Sequence, residues 1–197
     1  MVLLWVLAAT VMAQQRPWRI GVLGGVNYIH LENYGKGYYS DFEPKPGYTF
    51  GAFFRYTWGG FLNYSLEPGL QFTESRTEVD LLYITDCLVT IKSIDLPVSF
   101  KLGLKLSKIF RPYITGTVYA SYVVGSYGSF WEVLDVDHTQ PGWHFNRFYC
   151  GLAAGMGFDL WKFQVDGRYR WNLNRINSDD YKALRQMGLE LTLAFLF

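Results

Sequence analysis

The sequence has little charge and, after its first residues, no long apolar run. Asp, Glu, Lys and Arg make up 18% of its 197 residues, whereas soluble domains usually carry about 25%. No later stretch approaches the roughly 18 apolar residues of a membrane-spanning helix. The formal net charge is +1, which gives no electrostatic reason to expect nucleic acid as a partner. Yet half of the residues are hydrophobic, and they are dispersed along the chain.

Cysteine is also scarce, since Cys87 and Cys150 are the only two in the chain. Two cysteines are too few for a disulfide framework, although an oxidising compartment would allow them to pair. Cys150 lies in the apolar register of its segment, which favours the role of a small hydrophobe. The sequence leaves open whether the two cysteines pair.

The N-terminal residues 1–13 are apolar and end in Val11-Met12-Ala13. Small or aliphatic residues at the third-last and last positions fit a signal-peptidase site. The alternative is a buried helix of the fold. We expect a signal peptide of residues 1–13 that is cleaved before Gln14 and leaves a mature domain of residues 14–197.

Apolar and polar residues alternate with period two in eight segments of the mature chain. In the fourth segment, Ile94, Leu96 and Val98 alternate with Asp95 and Ser99. The eight segments cover about 18–30, 47–58, 61–79, 89–105, 113–122, 148–159, 163–171 and 187–197. An even number of strands of about 10–13 residues predicts an all-β fold, namely an eight-stranded antiparallel up-and-down transmembrane β-barrel.

The links between these segments alternate in length. The long links cover about 31–46, 80–88, 125–146 and 174–184, whereas the short ones cover 59–60, 107–109 and 160–162. Outer-membrane barrels have long extracellular loops and short periplasmic turns. We therefore expect both termini on the periplasmic side.

Alternation alone does not say which face points outward, because a soluble lipocalin-like barrel has the same pattern with the apolar face inside. The polar face here consists mainly of Gly, Ser, Thr, Asn and Tyr, and its charges nearly balance, as buried charges require. Those charges are Arg55, Lys101, Lys105, Arg168 and Arg170 against Glu67, Asp95, Asp159, Asp166 and Glu190. Aromatic residues also collect at the strand ends, as in interfacial girdles. They are Trp18, Trp58, Phe61, Phe110, Trp161 and Phe197 at one end, and Tyr28, Tyr122 and Trp171 at the other. These features favour the membrane barrel.

Several of these segments resemble the Bacteroidetes outer-membrane β-barrel family that is often called PorT-like. The residues that carry the resemblance are 20–28, 47–56, 66–72, 94–101 and 168–173, together with the terminal aromatic residue. The resemblance implies a porin-family barrel in the bacterial outer membrane. One class of members serves type IX secretion and gliding, and many others have no assigned role.

The interior of an eight-stranded barrel is just wide enough for its own side chains. We therefore predict that inward-facing charges plug it as an ion-pair network, and that the protein acts structurally or through its outer loops. The predicted network is Arg55, Glu67, Asp95, Lys101, Asp166, Arg168, Arg170 and Glu190. The alternatives are a narrow pore or small-solute transporter and, by resemblance, an accessory of the secretion or gliding apparatus.

The third long link is the most distinctive segment, because aromatic and acidic residues that are exposed together often mark interfaces. Its candidate interaction residues are Trp131, Glu132, Asp135, Asp137, His138, Trp143 and His144. An aromatic loop folded on the barrel rim is the alternative. No spacing supports a catalytic, cofactor or metal site, so we expect neither an enzyme nor a cofactor.

The chain ends in alternating hydrophobes with Phe195 and Phe197. This pattern resembles the signal that the barrel-assembly machinery reads during insertion. The expected partners are therefore membrane lipids, that machinery and other envelope proteins, without nucleic acid.

Overall fold

The computed structural model describes residues 17–33, 42–81, 84–107, 109–128, 147–174 and 184–197. They form a closed barrel in which each strand pairs antiparallel with the next and β8 closes onto β1. The strands are β1 Trp18–Asn33, β2 Phe42–Gly59, β3 Leu62–Leu81, β4 Ile84–Leu104, β5 Phe110–Gly128, β6 Phe148–Leu160, β7 Phe163–Asn172 and β8 Leu184–Leu196. The predicted fold class and strand count are confirmed.

The apolar face of each strand points outward. In β4, Leu96 is 57% exposed, whereas Asp95 on the opposite face is 1% exposed. The same alternation holds along the described parts of the other strands, and the residues predicted for the two aromatic girdles are all exposed. No helix among the described residues is long and apolar enough to cross a membrane.

The outward apolar band has the height of a membrane core. On β3, every outward position from Leu62 to Phe72 holds an aliphatic, aromatic or proline side chain. Ten residue steps of about 3.3 Å along a strand tilted by about 40° rise about 25 Å. This is the height expected for the lipid-facing band of an outer-membrane barrel.

Three tight links join strands at the end that holds the C-terminus: Gly60–Phe61 between β2 and β3, residues 105–109 between β4 and β5, and Trp161–Lys162 between β6 and β7. Gly59 and Trp161 have φ values of 100° and 57°, which the sharp reversals require. By the usual arrangement of such barrels, this end is periplasmic.

The prediction of a long link at 80–88 is wrong. β3 and β4 pair up to Leu81 and Ile84, and only residues 82–83 separate the two strands. The segment contains neither Gly nor Pro and includes the β-forming residues Tyr83, Ile84 and Thr85. The backbone pairing of β3 with β4 therefore continues to the outer end of the barrel.

Five neighbouring strands are longer than the expected 10–13 residues. β1 to β5 contain 16, 18, 20, 21 and 19 residues, whereas β6, β7 and β8 contain 13, 10 and 13. Their extra residues lie at the outer end, beyond the apolar band. The four longest strands, β2 to β5, form a tall wall on one side of the barrel, which we call the outer wall.

The interior contains little apolar packing. One apolar cluster joins Phe53, Ala194 and Leu196 to Leu23, and another joins the rings of Tyr119 and Tyr149 to Ala153 and Val123. Most other buried side chains are polar or charged. On the outside of β6, Cys150 carries a free thiol, and the side chain of Cys87 lies outside the described residues.

Candidate functional site

The lower part of the interior, toward the periplasmic end, contains a chain of four ion-paired groups. Arg55 on β2 contacts Glu67 on β3 through its Nε. The other Glu67 oxygen lies 2.8 Å from Lys101 Nζ, which is also 2.9 Å from Asp166 Oδ2. Tyr113 donates its hydroxyl to the same Asp166 oxygen at 3.1 Å. Lys101, which is 1% exposed, is thus held between two carboxylates.

Arg55 also spans the lumen. Its Nη1 donates to Asp159 Oδ2 on β6 at 2.8 Å, and its Nη2 donates to Gln164 on β7. Arg111 reaches the same Asp159 oxygen at 3.2 Å and donates to Ser65 at 2.7 Å. Because β2 and β6 are four strands apart in an eight-stranded barrel, the Arg55–Asp159 pair joins opposite walls.

The upper part of the interior contains a second network around Glu190. One oxygen of Glu190 lies 2.6 Å from Arg168 Nη2, and the other lies 2.9 Å from Arg170 Nη1. Arg170 Nη2 reaches Asp95 Oδ2 at 2.8 Å, and Arg168 donates to Gln71 Oε1 at 3.4 Å. The partners stand on β7, β8, β4 and β3, so these contacts also cross the lumen.

Aromatic rings pack against the upper network. The guanidinium of Arg170 lies 4.2 Å from the centre of the Tyr119 ring, and Tyr119 donates to Asn172 at 2.6 Å. Two internal cavities border these groups, each with room for about one water molecule at ≈ 10 Å³. Charged and aromatic side chains thus cross the described interior at these levels.

The structure brings all eight residues of the predicted network into the interior, where each is buried and makes at least one of the contacts above. Lys105, which we also expected inside, is exposed. That prediction is wrong because β4 ends at Leu104 and Lys105 begins the turn. Sequence reasoning missed Arg111, although it shares the inward register of Tyr113 and Thr115.

The other predicted sites are described only in part. Phe195 and Phe197 lie at the end of β8, with ring centres 5.1 Å apart and nearly perpendicular. All seven candidate interaction residues of the third long link lie within 131–144, outside the described residues. Among the residues that are described, no three His, Cys, Asp or Glu side chains are grouped as a metal would require.

Comparisons with known proteins agree with this architecture. A family model described as "Outer membrane protein beta-barrel domain" matches residues 12–178. The solved structure of OprG from Pseudomonas aeruginosa is similar, with 12% sequence identity and a TM-score of 0.51; the match covers 93% of this chain and 98% of that chain. Neisserial surface protein A also has 12% identity, with coverage of 90% and 97% and a TM-score of 0.48.

For Ail, the attachment invasion locus protein of Yersinia pestis, the identity is 12%, the coverage 93% and 100%, and the TM-score 0.45. No curated protein matches the chain by sequence. At such low identity the likeness to solved structures concerns the fold alone, but the family model covers most of the sequence. The chain belongs to the outer-membrane β-barrel family defined by that model and is an integral outer-membrane protein with eight strands.

Proposed function

We propose that this protein is a non-enzymatic outer-membrane barrel that acts at its outer end, as a structural or interaction partner in the cell envelope. The observation that carries the proposal is the set of buried ion pairs that cross the lumen. Arg55 joins opposite walls through Asp159, and Arg170 joins β7 to Asp95 on β4. A solute would have to break these buried pairs to pass, which costs several kcal/mol.

The shape of the barrel supports the same proposal. The outer wall extends beyond the apolar band and carries paired strand backbone away from the membrane surface. From the top of this wall, the chain enters the aromatic and acidic link between β5 and β6. Aromatic side chains with charged neighbours are common at protein interfaces.

Replacing residues 129–146 with a short Gly-Ser turn tests this proposal. We expect the shortened barrel to insert and to keep its heat-modifiable mobility, because the ion-paired interior is untouched. We also expect it to lose any envelope protein that the unaltered barrel retains after extraction in mild detergent. A matched replacement at the periplasmic turn of residues 105–109 should retain that protein. Equal retention by both variants would contradict a role for the link.

The resemblance to PorT-like proteins leaves one alternative, an accessory role in type IX secretion or gliding. Secretion components among the retained proteins would favour it. A narrow pore is the other alternative, and the ion pairs that cross the lumen argue against it. Phe195 and Phe197 as the signal for the barrel-assembly machinery, and residues 1–13 as a cleaved signal peptide, stay predictions.

A further inference from the structure

The outer wall carries a group of charged side chains on its lipid-side face, immediately beyond the apolar band. We call this group the outer polar cluster. Its members are Glu43, Lys45 and Tyr48 on β2, Glu74, Arg76 and Glu78 on β3, and Lys92 on β4. On β3 the first outward position beyond Phe72 is Glu74, and on β4 the first beyond Ile94 is Lys92. The outward surface thus changes from apolar to charged in a single step.

A β-bulge turns two of the β2 members, Glu43 and Lys45, outward. Tyr48 pairs with Glu74 and Lys45 pairs with Arg76, so three residue steps on β2 match two steps on β3. Without the extra residue, Lys45 would point into the lumen. Bulges commonly redirect side chains in this way. The chain therefore places Lys45 on the outer surface, where Glu78 and Glu43 contact it.

The tier of the cluster that borders the membrane is organised around Glu74. Its carboxylate accepts hydrogen bonds from the Tyr48 hydroxyl at 2.8 Å and from Arg76 Nη2 at 2.6 Å, and Lys92 Nζ lies 3.5 Å away. The Glu74 side chain is only 4% exposed, whereas those of Arg76 and Lys92 are 42% and 36% exposed. The carboxylate is thus covered, and the two cations that it positions face the surroundings.

The position of this tier defines the chemistry of its surroundings. Tyr48 stacks on Phe50 and Phe72, the last aromatic rings of the apolar band. Groups one residue step beyond such a girdle lie at the level of the lipid headgroups. Lipid phosphates lie at that level, and a positioned arginine with a neighbouring lysine is well suited to bind a phosphate.

We propose that Arg76 and Lys92, held by Glu74 and Tyr48, bind the phosphate of an outer-leaflet lipid. The ligand class is a phosphorylated glycolipid whose acyl chains lie along the apolar face of β2 to β4 and whose phosphate reaches the two cations. The cluster thereby fixes the height of the barrel in the membrane and gathers lipid around the outer wall. This role is independent of any partner of the loops.

The test uses the full barrel, purified from outer membranes in a neutral detergent, with lipid A as the probe. Native mass spectrometry measures the affinity for lipid A with its phosphates and for the same lipid after enzymatic dephosphorylation. We expect the phosphorylated lipid to bind and the dephosphorylated lipid to bind about tenfold more weakly or not at all. Equal affinity for the two lipids would overturn the proposal without the use of any variant.

A double variant tests whether Arg76 and Lys92 bind the phosphate. The double change Arg76→Gln and Lys92→Gln should weaken the binding of phosphorylated lipid A about tenfold, while Lys105→Gln, a change of an exposed lysine at the periplasmic end, should leave it unchanged. Unchanged binding by the double variant would place the phosphate elsewhere and contradict the assignment. The last measurement is the affinity for inorganic phosphate. If inorganic phosphate binds as tightly as lipid A, the site binds free phosphate and the lipid assignment is wrong.

Discussion

Replacing Arg55 with methionine should lower the free energy of unfolding by about 3–5 kcal/mol. Arg55 is 2% exposed and is the shared partner of Glu67 and Asp159. Its removal leaves Glu67 with Lys101 and Asp159 with Arg111, so each carboxylate loses one of its two described cations and the contact across the lumen is broken. Breaking a buried pair is costly because the remaining charge stays desolvated. Methionine keeps much of the side-chain volume, so the loss reports mainly on charge.

The measurement is a urea titration of the barrel in phospholipid vesicles, followed by tryptophan fluorescence. Lys105→Met is the matched control, since Lys105 is exposed at the periplasmic turn, and its effect should stay within about 0.5 kcal/mol. A loss below about 1 kcal/mol for the Arg55 variant would mean that water solvates the carboxylates. In that case, the interior would be more open than the contacts indicate.

The change Val118→Arg should destabilise the inserted barrel by about 2–4 kcal/mol. Val118 is 55% exposed on the outer face of β5 and pairs with Val98 and Leu152, which also face outward. Its position near the middle of the apolar band places the guanidinium far from both interfaces. The long side chain can reach only part of the way to a headgroup, so most of the desolvation cost remains.

Leu106→Arg is the control, because Leu106 is 57% exposed but lies at the periplasmic turn. The same substitution there should cost no more than about 1 kcal/mol. The same urea titration compares both variants with the unaltered barrel. Equal and small effects at the two positions would show that the β5 face does not contact hydrocarbon, which would contradict the proposed position of the membrane.

The faces of the strands could be predicted from the sequence because the barrel wall preserves the period of two. In β4, one alternating run is enough to separate inward Asp95 and Lys101 from outward Leu96 and Phe100. The pairing of Arg168 with Glu190 also follows from neighbouring strands with these faces. For residues such as these, local periodicity and strand order carry most of the information.

The contacts across the lumen could not be predicted in the same way. Arg55 and Asp159 are 104 residues apart in sequence, and their pairing depends on strand tilt and stagger, which bring opposite walls to the same height. The orientation of Lys45 could not be predicted from the sequence either. Its outward position depends on one extra residue before Tyr48, and a strict period of two contains no such residue.

The positions of the strand ends could not be predicted from membrane thickness. Backbone pairing between β3 and β4 continues well beyond the membrane, because two neighbouring strands satisfy each other's backbone N–H and C=O groups in water as well as in lipid. An expectation based on membrane thickness therefore fits β6 to β8 and underestimates β1 to β5. The excess length is what forms the outer wall and its polar cluster.

The central claim is that the lumen is closed and that the function belongs to the outer end. Single-channel recording of the purified barrel in a planar lipid bilayer, in concentrated potassium chloride, tests it most directly. We predict no stable open state, because Arg55 and Arg170 tie walls that lie across the lumen from each other. A steady conductance of nanosiemens size would contradict the closed interior and would favour a pore.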